Sequence, residues 1–276
     1  MKPIVIRCDA DNGDKVGHGH AMRCFALAQA IKAKGTNPIF LMGETTEFIS
    51  MLLHNEDILC ILINGNGDDA SHAAQTVGVS RSFEAEQIVV DGYELSVGYL
   101  AMLAGAGFNV VAVDDKKTPM FRQDIWKARK RSFRAKQEIK RVFVRIEDNF
   151  SETVDEALSE LGLKRVEPGG DKIIDNMFSS DIAISAGGIT AWELALFGIP
   201  SLLVTDAPQQ TINCMNLNRT GAALNLGWTK DMLAERIVRN IKSIERQPKR
   251  AQMSAAGKRA VRENGTEYYL KKLGLA

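Results

Sequence analysis

Two histidines in a glycine-rich turn are the first side chains in this sequence with chemistry to offer. They lie in residues 9–23, DADNGDKVGHGHAMR, which hold Asp9, Gly17, His18, Gly19 and His20. An imidazole titrates near neutrality and can take a proton from water or a hydroxyl group. Gly17 and Gly19 permit a tight turn into a helix, whose free N–H groups attract anions. Histidines spaced as HxH can also hold a metal ion. However, the four cysteines (Cys8, Cys24, Cys60, Cys214) are scattered without a CxxC pair, so no metal site is expected.

A second segment, IAISAGGITAWELALFGIP at 182–200, runs from a buried strand into Ser185-Ala186-Gly187-Gly188. Thr190 can cap the helix that follows, and Glu193 stands one turn inside it. Glycine backbone beside a helix N-terminus makes a diphosphate cradle, and a carboxylate at 193 can accept hydrogen bonds from a ribose diol. The competing reading makes the glycines a tight strand–helix turn and Glu193 a solvated residue. Gln209 and Gln210 follow the next strand; their amides can bind a sugar or phosphate, or serve only to start a helix.

Short β-rich runs must position these residues. Strands are expected at 3–7, 37–42, 58–63, 87–90 and 109–113, then at 141–146, 181–185 and 200–205, with helices between them. That alternation predicts an α/β fold with parallel sheets, so the tips after 7, 185 and 205 fall at carboxyl edges, where such folds bind ligands. A length of 276 residues fits about two domains. Lys+Arg 35 against Asp+Glu 34 leaves a net charge of +1, which excludes bulk attraction to nucleic acid. Residues 116–145 carry twelve Lys or Arg, read as a basic connecting helix packed through Trp126, Phe133 and Ile139. The uncharged stretch 95–113 is broken by Gly98, Gly105, Gly107 and Asn109 and is no membrane span; Asp9 comes too early for a signal-peptide core. A soluble cytoplasmic protein, with neither nucleic acid nor membrane as partner, is therefore expected.

Gly17–Arg23, SAGGITAWELALFGIP and QQTINCMNLNRTGAA together resemble the two-domain GT-B nucleotide-sugar proteins. The second half is similar to the donor domain of the N-acetylglucosaminyl transferase that makes lipid II. The opening IRCDADNGDKVGHGHAMRCFALAQAI, with VVDGYELS and VVAVDD, resembles the UDP-sugar hydrolases of pseudaminic acid biosynthesis, which release UDP from a UDP-linked diacetamido-trideoxy-altrose. The resemblance implies two Rossmann-like domains with a ligand cleft between them: 1–120 on the sugar and catalytic side, a basic connecting helix at 121–140, and a reduced nucleotide-binding domain at 141–276 with terminal helices.

It further implies that His20 is the catalytic histidine, and that Asp9, Gly17, His18, Gly19 and Tyr93 line the sugar site. Ser185, Gly187, Gly188, Thr190 and Glu193 would bind the nucleotide, and Gln209 and Gln210 the substrate. No cofactor or metal is implied; the partner is a small nucleotide sugar. Where the family has a Gly-Gly-Ser/Thr-Asp loop after the first strand of its second domain, this chain has Glu147-Asp148-Asn149. The implied function is metal-independent hydrolysis of a UDP-linked amino-deoxy sugar by water attack at the anomeric carbon. Glycosyl transfer to an acceptor hydroxyl, or nucleotide-sugar binding without catalysis, are the alternatives.

Overall fold

Strands β1 (Ile4–Cys8), with α1 (Gly19–Ala33), β2 (Pro38–Met42), α2 (Glu47–Asn55), β3 (Leu59–Leu62), α3 (Asp69–Ser82), β4 (Gln87–Asp91), α4 (Val97–Gly105) and β5 (Asn109–Ala112), build the first sheet and its helices. A computed structural model describes residues 1–11, 18–64, 67–92, 95–114, 119–230 and 232–276, the side chain of residue 171 excepted. The chain continues through α5 (Gln123–Ala128), β6 (Arg141–Arg145), α6 (Ser151–Glu160), β7 (Lys164–Val166), α7 (Ile173–Ser179), β8 (Ile182–Ala186), α8 (Ile189–Phe197), β9 (Ser201–Thr205), α9 (Thr211–Thr220), β10 (Ala223–Trp228), α10 (Ala234–Ser243), α11 (Gln247–Ala260) and α12 (Thr266–Lys272). Two compact units result: residues 1–123 with 263–276, and residues 124–262. Among the described residues, no helix is long and apolar enough to cross a membrane.

The first sheet is parallel, in the order β3-β2-β1-β4-β5. Strands β1 and β2 are buried along their whole length and β4 from Ile88 onward, because helices cover both faces, which is why IVI, IFLM and IVV read as apolar runs rather than alternating ones. Ile4, Ile6 and Phe40 pack with α1 on one face; Val5, Leu41 and Tyr99 form the core on the other. Side-chain caps start three helices here: Thr46 accepts from the Ile49 N–H, Asp68 from Ser71, and Ser96 from Tyr99.

The second sheet is also parallel, in the order β10-β9-β8-β6-β7. It has five strands, not the three expected for a reduced domain: β7 is only three residues long, and β10 carries a bulge between Asn225 and Gly227, so neither shows a clean strand pattern in sequence. In helix α8, Gly198 closes the last turn at φ +73, and a side chain there would meet Ser254 Oγ at 2.6 Å. Only glycine fits both demands.

Two expectations about chain organisation change. The basic stretch is helical only over α5; residues 129–140 are irregular. Like charges at i,i+4 (127/131, 130/134, 136/140) weaken a helix there, and tertiary contacts replace it. Arg131 pairs with Asp175 at 2.7 Å, and the fully buried Arg250 donates to the carbonyls of Lys136 (2.6 Å) and Gln137 (3.2 Å). Phe133 is buried and Ile139 packs on the second core, as expected; Trp126 is half-buried with the Arg129 guanidinium 3.9 Å above its ring. The terminal helix α12, expected with the second domain, belongs to the first unit, because Tyr269, Leu270 and Leu273 complete the core on the α1 side of its sheet.

Candidate functional site

Strand order reverses between β1 and β4 in the first unit, and ligands of open α/β sheets bind beyond the carboxyl ends at such a switch point. Cys8 and Asp91 end these two strands side by side. Helix α1 begins above them, bringing His20, Arg23 and Cys24 onto Asp91. His20 Nδ1 lies 2.6 Å from Asp91 Oδ1. Arg23 straddles the same carboxylate, with Nε 2.5 Å from Oδ2 and Nη2 2.5 Å from Oδ1. The Cys24 thiol donates to Oδ2 at 3.4 Å. The Asp91 side chain is fully enclosed and that of His20 is 5% exposed.

Burial by itself pushes the Asp91 carboxyl up, but the Arg23 and His20 hydrogen bonds and the Arg23 charge outweigh it, holding the group below the usual carboxylate range. Burial also pushes the Cys24 thiol well up, so it stays protonated and can donate. Neither Asp91 nor Arg23 was singled out from sequence as a site residue. The available signal was a single acid closing the apolar run IVV of β4.

The remaining residues expected here divide. Asp9 is taken up in joining strand ends: its Oδ1 accepts from Arg7 Nη1 (2.6 Å), Gly43 N (2.6 Å) and Glu44 N (3.2 Å). His18 turns toward helix α2, with Nε2 3.0 Å from the Thr46 hydroxyl and its ring edge-on to Phe48. Gly19 is exposed at the start of α1. Gly17 and Tyr93 lie outside the described residues.

In the second unit the reversal falls between β6 and β8. The residues expected to bind nucleotide follow β8. Ser185 is buried, its hydroxyl donating to the Ala186 carbonyl at 3.0 Å. Gly187 continues the ladder through its N–H to the Val204 carbonyl and accepts from Asn213 Nδ2 at 2.9 Å. A methyl group on Gly187 would stand 2.4 Å from Cys214 Sγ and 2.7 Å from the Gln210 carbonyl; one on Gly188 would meet nothing within 4 Å. Gly188, not Thr190, occupies the N-cap of α8 and offers no side chain to it, so the helix start is capped by backbone alone. Thr190 and Glu193 are buried, 5% and 7% exposed, which corrects the solvated alternative for Glu193; a carboxylate so placed is rarely found without a partner.

Gln210 Oε1 accepts from the Asp206 N–H at 2.9 Å, which starts the turn before α9, whereas Gln209 is exposed. The same edge carries negative charge. Glu147, Asp148 and Asn149 are exposed beyond β6. Both Asp206 oxygens are buried without a hydrogen-bond partner. Burial pushes the Asp206 carboxyl up, the Thr229 hydroxyl opposes this, and the Glu147 charge adds to it. Among the described residues, no three His, Cys, Asp or Glu side chains converge as a metal ion requires.

Residues 128–267 match the glycosyltransferase family 28 C-terminal domain. No curated protein matches the chain in sequence. Among solved structures, MurG of Acinetobacter baumannii is similar at a TM-score of 0.68 and 14% identity, over 99% of this chain and 100% of that one. A Streptomyces glycosyltransferase complexed with thymidine diphosphate gives 0.65 and 12%, over 99% and 100%. A UDP-N-acetylglucosamine 2-epimerase so described from Listeria monocytogenes gives 0.61 and 10%, over 99% and 94%. At these identities the likeness is one of fold: two Rossmann-like units of the GT-B type.

Proposed function

The chain belongs to the glycosyltransferase family 28 C-terminal domain family, and from that premise we propose that it is a nucleotide-sugar enzyme cleaving the bond between an anomeric carbon and a nucleoside diphosphate. The family match carries the reading. In the second unit, the open backbone at Gly188 and the first turn of α8 suit a diphosphate, and the buried Glu193 suits the ribose. In the first unit, His20 is the base that takes the proton of the attacking group. The reading requires both sets of residues to act on one substrate molecule.

Transfer to an acceptor hydroxyl has the better support, since the matching family and the Streptomyces neighbour are described as glycosyltransferases. Hydrolysis of a UDP-linked amino-deoxy sugar is the second reading, favoured by the opening motif that ends in GHGHAMR. In either case a cytoplasmic nucleotide sugar is the substrate.

The test is phosphorus NMR of nucleoside diphosphate release from UDP- and TDP-linked amino sugars, with and without a panel of sugar and lipid-linked acceptors. Release only with an acceptor supports transfer; release in its absence supports hydrolysis. A positioned base contributes about 10²–10⁴-fold, so His20→Asn should lose that much turnover with little change in nucleotide affinity. Equal turnover in the variant overturns the role of His20. Nucleotide binding without turnover toward any substrate favours a binding protein instead.

A further inference from the structure

Residues 70–80 and 95–113, thirty positions together, hold no Lys, Arg, Asp or Glu, where the chain's 25% would place seven or eight. Burial accounts for part of this stretch. Helices α3 and α4 lie side by side on one face of the first sheet and send Ala73, Tyr99 and Leu103 into its core. Their outer side is different: Ala70, Ala74 and Gly78 on α3 are exposed, as are Val97, Ala101 and Met102 on α4, Val97 to 83%. A helix face turned to water ordinarily carries charged side chains. This one carries none.

Gly78 gives a second, independent sign. Inside a helix, glycine is less stable than alanine because it loses more backbone freedom. The fold of this chain does not require it there: its φ is not positive, and a side chain would meet nothing within 4 Å among the described residues. Gly187 and Gly198, by contrast, are each hemmed in by their own chain. With Ala70 and Ala74, at spacings of four, Gly78 forms a low ridge that lets another helix approach closely.

The ends of α3 show which helix that is. Asp68 caps it through the Ser71 N–H, Asp69 accepts from the Ser96 hydroxyl, and Arg81 in the last turn donates to the Ala106 carbonyl at 3.3 Å. These bonds hold the charged groups at the two ends of the face, Asp68 and Arg81 exposed and Asp69 partly so. Asp69 and Arg81 are twelve residues apart, about 18 Å along the helix, too far to pair within one chain. A copy laid parallel would stack acid on acid. A copy turned by a two-fold axis near Gln75 sets Asp68 and Asp69 beside Arg81 of the second chain, and the symmetry repeats the match. We propose that the outer face of α3 and α4 binds a second copy of this chain, with the two α3 helices antiparallel. Two helices and about 21 Å make a small interface, so the dimer is a weak one, with a micromolar Kd.

Sedimentation equilibrium of the full chain from about 5 to 500 µM tests this. The unaltered protein should pass reversibly from monomer to dimer; a monomer throughout overturns the proposal and leaves the face to a different partner. Gly78→Arg should weaken the dimer by about 10²-fold, whereas Ser159→Arg, on an exposed position of α6, should leave it unchanged. Self-association that survives Gly78→Arg uses another surface and refutes the assignment. Asp69→Lys and Arg81→Glu, studied singly at low salt, should each weaken association about tenfold or more. Mixed in equal amounts, they should associate again to within about threefold of the unaltered protein, because both ion pairs re-form in the mixed dimer. No recovery in that mixture overturns the antiparallel arrangement, and Gly78→Arg decides the matter if either charge variant does not fold.

Discussion

Adding one carbon at Gly187 and one at Gly188 should separate packing from ligand binding in the strand–helix turn after β8. A methyl group on Gly187 would lie 2.4 Å from Cys214 Sγ and 2.7 Å from the Gln210 carbonyl. Ordinary contacts between carbon atoms are about 3.5–4.0 Å, so helix α9 and the turn before it must retreat by roughly 1 Å. Overpacking of this kind costs about 1–3 kcal/mol, and Gly187→Ala belongs in the upper half because one obstacle is backbone. Cys214→Ala in that background removes the sulfur but leaves the carbonyl, so rescue should be partial, with a coupling of about 1 kcal/mol between the two sites. Gly188 has open space and φ −83, which alanine adopts without strain. Gly188→Ala should therefore cost less than about 1 kcal/mol, the usual scale of an N-cap change, while placing a methyl group where a phosphate would approach the α8 N–H groups. Urea unfolding and calorimetric titration with UDP or TDP measure the two effects. The reasoning fails if Gly187→Ala is as stable as the unaltered protein, or if Gly188→Ala binds nucleotide undiminished while Gly187→Ala alone loses it.

Other outcomes follow from buried charge. Asp206→Asn should stabilise the protein at neutral pH by about 1 kcal/mol, a small figure because the residue as a whole is half-buried although both carboxylate oxygens are buried. Because the folded state raises this carboxyl, its stabilising contribution is complete below the ordinary value near 4 and fades as pH rises through the raised one. Thermal melts of the two proteins should thus diverge with rising pH, and parallel curves would contradict the assignment. The same substitution should tighten nucleoside diphosphate binding by removing negative charge from that sheet edge, read by the same titration. Arg250→Ala deletes donors to the carbonyls of Ile244, Glu245, Lys136 and Gln137. It should cost about 3 kcal/mol or more, and limited trypsin digestion should newly cut within 129–140.

The alternation of apolar runs with helical segments was enough to read two parallel sheets, because strands covered on both faces leave an unmistakable hydrophobic trace. The edge strands of the second sheet do not: β7 is three residues long and exposes Lys164, and β10 breaks its alternation at Gly227, so both were invisible, whereas the first sheet's edge strands β3 and β5 were read. His20 and the paired glycines were legible as residues of unusual type at strand ends. Their partners were not, since Asp91 and Arg23 matter through a contact spanning 68 positions that no local pattern encodes. Glu193 had a readable sign after all: it is the single charge in ITAWELALF, a helix otherwise suited to complete burial. Asp9 and His18, expected at the site from their chemistry, also make contacts no local pattern encodes, Asp9 with the Gly43 N–H beyond β2 and His18 with the Thr46 hydroxyl at the start of α2.

The return of α12 to the first sheet has a consequence for biosynthesis. The amino-terminal half cannot close its interior until Tyr269, Leu270 and Leu273 have been translated. At 5–20 residues per second, the roughly 140 intervening residues take on the order of ten seconds. During that interval the face under α1 is incomplete, and all five strands of 124–262, the last ending at Trp228, are made before α12 begins at Thr266. The later-made half is thus the first able to mature on the ribosome, reversing the usual vectorial order.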